Sequence, residues 1–179
     1  ALPILKPFQF CLTVIIIITL PPTNSSDFID KICQNTPFYK LCLDSLSSNL
    51  LPMSSDVKGV TSAMANLILV NATDTLSYID LLIKQCTDPP SEQPLAYCAE
   101  LFIPMVRYNI PQAIAALSKG QFGFAGYAIA DAAKQALTCE KAFLNSAISS
   151  PLTARNIIIS DLCNVAVAVI NSFIKKQLG

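Results

Sequence analysis

The chain predicts an all-α fold, an up-and-down four-helix bundle preceded by an N-terminal helical hairpin and stapled by disulfides. Three observations carry that prediction. Apolar residues recur at three-, four- and seven-residue spacing over long stretches, the period of a helix with one buried face. Proline and glycine interrupt those stretches only briefly, and short connections between long helices make antiparallel neighbours. Six cysteines fall between Cys33 and Cys163, an even number of the kind that forms a disulfide framework in an exported protein.

Residues 1–23 stand apart from the fold. Lys6 precedes an uncharged apolar run from Phe8 to Leu20, and Pro21-Pro22 ends it, which is the layout of a secretory signal peptide. An exported domain over 24–179 is therefore expected, with the hairpin over 27–50 and the bundle over 56–178. Export also makes Asn71-Ala72-Thr73 and Asn24-Ser25-Ser26 N-glycan acceptors, and a glycan on Asn71 would turn that face of its helix to solvent. In the hairpin, Cys33 and Cys42 flank the helix break at Thr36-Pro37-Phe38, so two short helices folding back bring the thiols together.

Four long helices follow. Val57, Val60, Met64, Leu67, Ala72, Leu76, Ile79 and Ile83 form the stripe of the first, which Asp88-Pro89-Pro90 ends. The second runs from Pro94 to about Ser118 with Leu95, Cys98, Phe102, Met105, Ile110 and Leu117 on its stripe; Pro104 and Pro111 remove backbone donors and predict a bend or break. Lys119-Gly120 supplies a cation and a left-handed cap. The third helix lies within Lys119 to Phe143, rich in alanine, and its buried face is Phe122, Ile129, Ala133, Ala136, Cys139 and Phe143. Ser150-Pro151-Leu152-Thr153 starts the fourth, whose stripe is read as Ile158, Leu162, Val165, Val169 and Phe173, ending near Lys175 and Lys176.

Folding the second helix back on the third about Gly120 puts Cys98 about 22 residues and Cys139 about 19 residues from the turn. Their heights then differ by about 4 to 5 Å, within reach of a bridge. A Cys139 to Cys163 bridge satisfies the same height argument, and a Cys86 to Cys163 bridge also stays open.

The composition excludes several functions. Twelve basic and twelve acidic residues give a net charge of zero, so no basic patch calls for nucleic acid. The chain has no His, which removes the usual general base, the Ser-His and Cys-His nucleophile pairs and the commonest zinc ligand. Asp27 with Asp30, and Asp131 with Glu140, are carboxylates at spacings of solvated helix faces, and no glycine-rich phosphate cradle is present. No catalysis, no cofactor and no metal is expected.

The pieces ICQNTPFYKLCLDSL (32–46), YCAELF (97–102), IPQAIAALSKG (110–120), DAAKQALTCEKAF (131–143), SPLTARN (150–156) and SDLCNVAVAVINSF (160–173) resemble the plant invertase inhibitor and pectin methylesterase inhibitor family over essentially all of the mature length. The resemblance implies disulfides Cys33–Cys42 and Cys98–Cys139, and a free thiol at Cys163; Cys86 is outside the family pattern. It implies a secreted inhibitor of the apoplast, cell wall or vacuole. Such an inhibitor docks on pectin methylesterase or acid invertase, in a 1:1 complex with no membrane once the signal is removed.

Such an inhibitor needs only a rigid surface that fills a cleft, and disulfides reduce the ordering entropy lost on docking. The expected contacts lie at the turn between the second and third helices, at Lys119, Phe122, Gly123 and Phe124. In the family's invertase inhibitors a Pro-Lys-Phe motif follows a Lys-Gly step; here it aligns with Phe122-Gly123-Phe124, which keeps only the final Phe. IPQAI and SPLT resemble the invertase branch and SDLCNVAVAVINS the pectin methylesterase branch. The competing readings are a bundle that binds some other wall protein; a lipid carrier, whose Cys-Cys and Cys-x-Cys pattern is absent; and a pro-region, which would continue into a β-rich catalytic chain beyond Gly179.

Overall fold

The computed structural model describes residues 25–48, 56–87 and 89–178. The expected signal segment and Asn24 lie outside them. Among the described residues there are seven α-helices: α1 Ser25–Cys33, α2 Tyr39–Ser48, α3 Val57–Gln85, α4 Pro89–Pro104, α5 Ile110–Ser118, α6 Phe122–Asn145 and α7 Thr153–Leu178, with a π-helical turn Met105–Asn109 joining α4 to α5. α3, the α4–α5 rod, α6 and α7 form the bundle, each packed on the next around a square. The hairpin α1–α2 lies across α3 and α7, so the opposite side, between the α4–α5 rod and α6, is left uncovered by the described residues.

Local chemistry sets the boundaries. Asp56 caps α3 by accepting a 2.6 Å hydrogen bond from the Gly59 N–H, satisfying a donor that the first turn leaves unpaired. The bend expected at Pro104 and Pro111 is a π turn: the Ile110 N–H reaches back to the Met105 carbonyl, one residue further than in an α-helix. The wider register carries the rod through two residues that have no N–H to donate, so it stays continuous. α5 ends in a Schellman motif, with Gln121 N–H on the Ala116 carbonyl at 2.9 Å, Gly120 N–H on the Leu117 carbonyl at 3.0 Å, and Gly120 at φ +73°.

α6 buries the expected stripe of Ile129, Ala133, Ala136, Cys139 and Phe143. Its largest interface is with α7, and small residues let the two helices close: a Cβ on Gly126 would stand 3.4 Å from Ile170. The stripe of α7 differs at its start. Ile158 is 43% exposed, and Ile159 is the residue in the core, followed by Leu162, Cys163, Val165, Ala166, Val169 and Ile170. In a run of three isoleucines the helical period alone does not choose the inward one; the packing of α7 on its neighbours does. α7 has the length and composition of a membrane-crossing helix, but this stripe is consumed by the bundle core. Buried polar residues of α3 are satisfied internally, Thr61 and Thr75 donating to the Val57 and Asn71 carbonyls.

Candidate docking face

The tip between α5 and α6 separates the two phenylalanines that the sequence brings forward. Positions two apart on a helix point about 200° from each other, so one ring faces in and the other out. Phe122 is half-buried and meets Phe173 of α7 edge-on, ring centroids 4.7 Å apart. Phe124 is 55% exposed. Lys119 and Gly123 are exposed between them, and nothing stands within 4 Å of a Cβ on Gly123. These four residues are thus gathered at one corner, with Phe122 as its internal brace.

From the corner a face runs down α6 along the rod. Tyr108 and Tyr127 are exposed beside it. Asp131 accepts from the Asn109 side chain at 2.8 Å and from Gln135 at 3.0 Å, pinning the π turn to α6. Further down, Tyr97 and Glu100 of α4 face Thr138 and Lys141 of α6 across an open groove of about 620 Å³. Beneath that groove Cys98 and Cys139 are joined, Cα atoms 4.8 Å apart. In the hairpin Cys33 and Cys42 are joined at 5.5 Å.

The far end of α6 is held by polar contacts. Asn156, 1% exposed, donates to Glu140 at 2.9 Å and toward the Cys139 sulfur at 3.4 Å, and the Thr153 hydroxyl donates to the other Glu140 oxygen. Burial pushes the Glu140 carboxyl up, but hydrogen bonds from Thr153, Asn156 and Ser150 outweigh it and hold it below the ordinary carboxylate value. The expectation of solvated faces for Asp131 and Glu140 is therefore corrected: both are interhelical acceptors, a role invisible until the partner helix is placed.

The remaining candidates separate. Cys163 is buried in the core, and burial pushes its thiol well above the ordinary value, so it is an inert core residue. Cys86 is half-buried at the end of α3. Asn71 is half-buried. Its side chain lines a shallow depression with Leu41 of α2 and Ile158 and Leu162 of α7, and its amide donates to the Leu67 carbonyl at 2.9 Å; the docked hairpin borders the face that the sequon was expected to turn outward. Among the described residues no cluster of three or more His, Cys, Asp or Glu is placed to hold a metal. Tyr108, Tyr127 and the π turn were not singled out by the sequence, although two prolines seven residues apart within one helical stripe were the available signal.

Among the described residues the chain is a small disulfide-braced helical bundle whose α5–α6 corner carries an exposed aromatic. The chain belongs to the plant invertase/pectin methylesterase inhibitor family, whose sequence profile matches residues 27–169. This is a family of enzyme inhibitors, not of enzymes. The chain is 30% identical over 156 residues to the cell wall/vacuolar inhibitor of fructosidase 1 of Arabidopsis thaliana, covering 86% of this chain and 74% of that one. It is 27% identical to a pectinesterase inhibitor of Actinidia deliciosa, over 80% of this chain and 77% of that one. The crystal structure of a mutant form of a pectin methylesterase inhibitor from Arabidopsis superposes with a TM-score of 0.71 at 20% identity, over 80% of this chain and 95% of that one, which establishes the shared fold.

Proposed function

We propose that the protein is a secreted inhibitor that docks on acid invertase or pectin methylesterase in the cell wall or vacuole and blocks the active site as a 1:1 complex. Residues 1–23 serve as the export signal, and the domain over 24–179 acts free of the membrane. The observation that carries the reading is Phe124, exposed at the corner of a hairpin that is braced by Phe122 on Phe173 and by the Cys98–Cys139 bridge. A preorganised aromatic at a convex corner loses little entropy on entering a cleft. Lys119 beside it offers a cation to the carboxyl pair by which a glycosidase such as invertase works.

The test is inhibition of a plant acid invertase and a plant pectin methylesterase by the refolded 24–179 domain. Inhibition of invertase should fall about 30-fold in Phe124→Ala, on the order of 2 kcal/mol for an interface anchor. Gly123→Lys, which restores the cation of the aligned motif where a side chain meets no obstruction, should tighten it. If pectin methylesterase is the target, binding spreads over the polar positions of the α4–α6 groove and both substitutions matter little. Inhibition of neither enzyme would reject the reading.

A further inference from the structure

Resting on the export that the proposed function requires, we propose that Asn71 carries an N-linked glycan whose first N-acetylglucosamine seats in the depression between α2, α3 and α7 and ties the hairpin to the bundle. Asn71-Ala72-Thr73 is an acceptor sequence that docking on a target leaves without a role. It lies in the middle of α3 rather than in a loop. The Asn71 amide donates to the Leu67 carbonyl at 2.9 Å and the Thr73 hydroxyl to the Leu69 carbonyl at 2.7 Å. Both groups are engaged once α3 has formed, so the sugar is added before the helix closes.

The folded side chain tolerates the modification. An unmodified amide has two N–H donors; the bond to Leu67 uses one, and the sugar replaces the hydrogen of the other. The transfer forms the bond from Asn71 Nδ2 to C1 of the sugar and breaks the C1–O bond of a lipid-linked oligosaccharide diphosphate. The amide proton leaves with the lipid diphosphate. Glycosylated Asn71 therefore keeps its bond to the helix backbone.

The depression is built from one turn of each of three helices: Leu41 and Ser45 of α2, Leu67 and Asn71 of α3, and Ile158 and Leu162 of α7. Its volume of about 270 Å³ takes a first sugar while the rest of the glycan extends into solvent. Ile158 is 43% exposed, an apolar side chain that the core does not take up, and the apolar face of a sugar ring laid on it removes that surface from water. Ser45 and the neighbouring Asp44 border the same depression. Asp44 accepts from Lys40 at 2.7 Å, and a carboxylate has lone pairs for further donors such as sugar hydroxyls. The interfaces of α2 with α3 and α7 are smaller than those between the bundle helices, so a sugar fixed to α3 and packed on α2 and α7 bridges the weaker joint. The depression is on the hairpin side, and the α5–α6 corner stays clear.

The test compares the 24–179 domain secreted from a eukaryotic host behind a foreign leader with the same domain refolded from bacteria. Both carry Asn24→Gln, so that Asn71 is the sole acceptor. Mass spectrometry should find the glycan on Asn71 in most secreted molecules, and endoglycosidase H then trims it to one N-acetylglucosamine. The trimmed form should unfold about 3 °C above the bare form and exchange its α2 amides about threefold more slowly. Ile158→Ala, a change at an exposed side chain, removes the apolar floor under the sugar and should reduce the difference between the two forms to under about 1 °C. Secreted protein with bare Asn71, or a trimmed sugar that moves neither midpoint nor exchange, overturns the proposal and leaves the docking reading standing. Failure of the chain's own residues 1–23 to export it from the same host removes the export reading and the glycan with it.

Discussion

The two ends of α6 are built on opposite plans. At the tip, α5 turns into α6 through three residues, Gly120 takes the left-handed position, and an aromatic side chain is left in solvent. At the base, α6 ends in a turn of the same hydrogen-bonding pattern, with Ile148 N–H on the Phe143 carbonyl at 3.1 Å, yet the left-handed residue is Ala147 at φ 55°. There the Cys98–Cys139 bridge and the Glu140–Thr153–Asn156 contacts tie three helices together. The difference puts covalent and polar ties at one end and an exposed aromatic at the other. At the corner the brace is the Phe122–Phe173 ring contact, whereas the covalent clamp lies towards the other end of α6.

Breaking the clamp should produce the largest effect. The Cys98–Cys139 bridge closes 41 residues and Cys33–Cys42 closes 9. Loop-closure entropy then predicts losses of about 4 and about 2.5 kcal/mol for the respective double Cys→Ala variants. Loss of the first should lower the unfolding midpoint of the whole bundle by roughly 10 °C or more, whereas loss of the second loosens the hairpin, which lies away from the docking face. Calorimetry of the two variants decides it: a larger drop for the hairpin pair would refute the assignment of the base as the clamp.

Exchanging the turn residues tests the comparison more finely. Gly120→Ala puts a side chain at φ +73° where nothing stands within 4 Å, so the whole cost is backbone strain of about 1 to 2 kcal/mol. Ala147→Gly relieves the same strain at the base but adds disorder to the unfolded chain worth about 0.4 to 1 kcal/mol. The net gain there should lie between about 0 and about 1.6 kcal/mol. Denaturant titration that finds Ala147→Gly destabilising would show that the base turn is held by something other than its backbone pattern.

Much of this was legible in the sequence because it depends on local rules. Period, breakers and the Lys119-Gly120 cap place the bundle helices from neighbouring residues alone. What was hidden is what another helix decides. Ile158 and Ile159 are equivalent by composition, and only the packing of α7 chooses between them. Asp131 and Glu140 look like surface carboxylates until Asn109 and Asn156 arrive from elsewhere in the chain, and Asn71 looks exposed until α2 lies beside it. At the candidate site the tip residues were found because they sit at a turn. Tyr108 was missed because a π turn moves a side chain without altering the apolar period around it.

The smallest effect expected is a pH dependence at the base. Glu140 has its carboxyl held below the ordinary value by hydrogen bonds that overcome its burial. A carboxyl depressed in the folded state stabilises the fold above its unfolded value, near 4.3, and that contribution disappears as pH falls through the depressed folded value. Glu140→Gln should therefore be less stable than wild type from about pH 5 upward, by less than about 1 kcal/mol, since the carboxyl is only partly buried and the Gln carbonyl still accepts from Asn156 or Thr153. Below about pH 4.3 the two stability curves should converge. The other carboxyl groups titrate in both proteins and cancel in the difference, so a gap that stays constant down to pH 2 would mean that Glu140 contributes shape at the base and no charge.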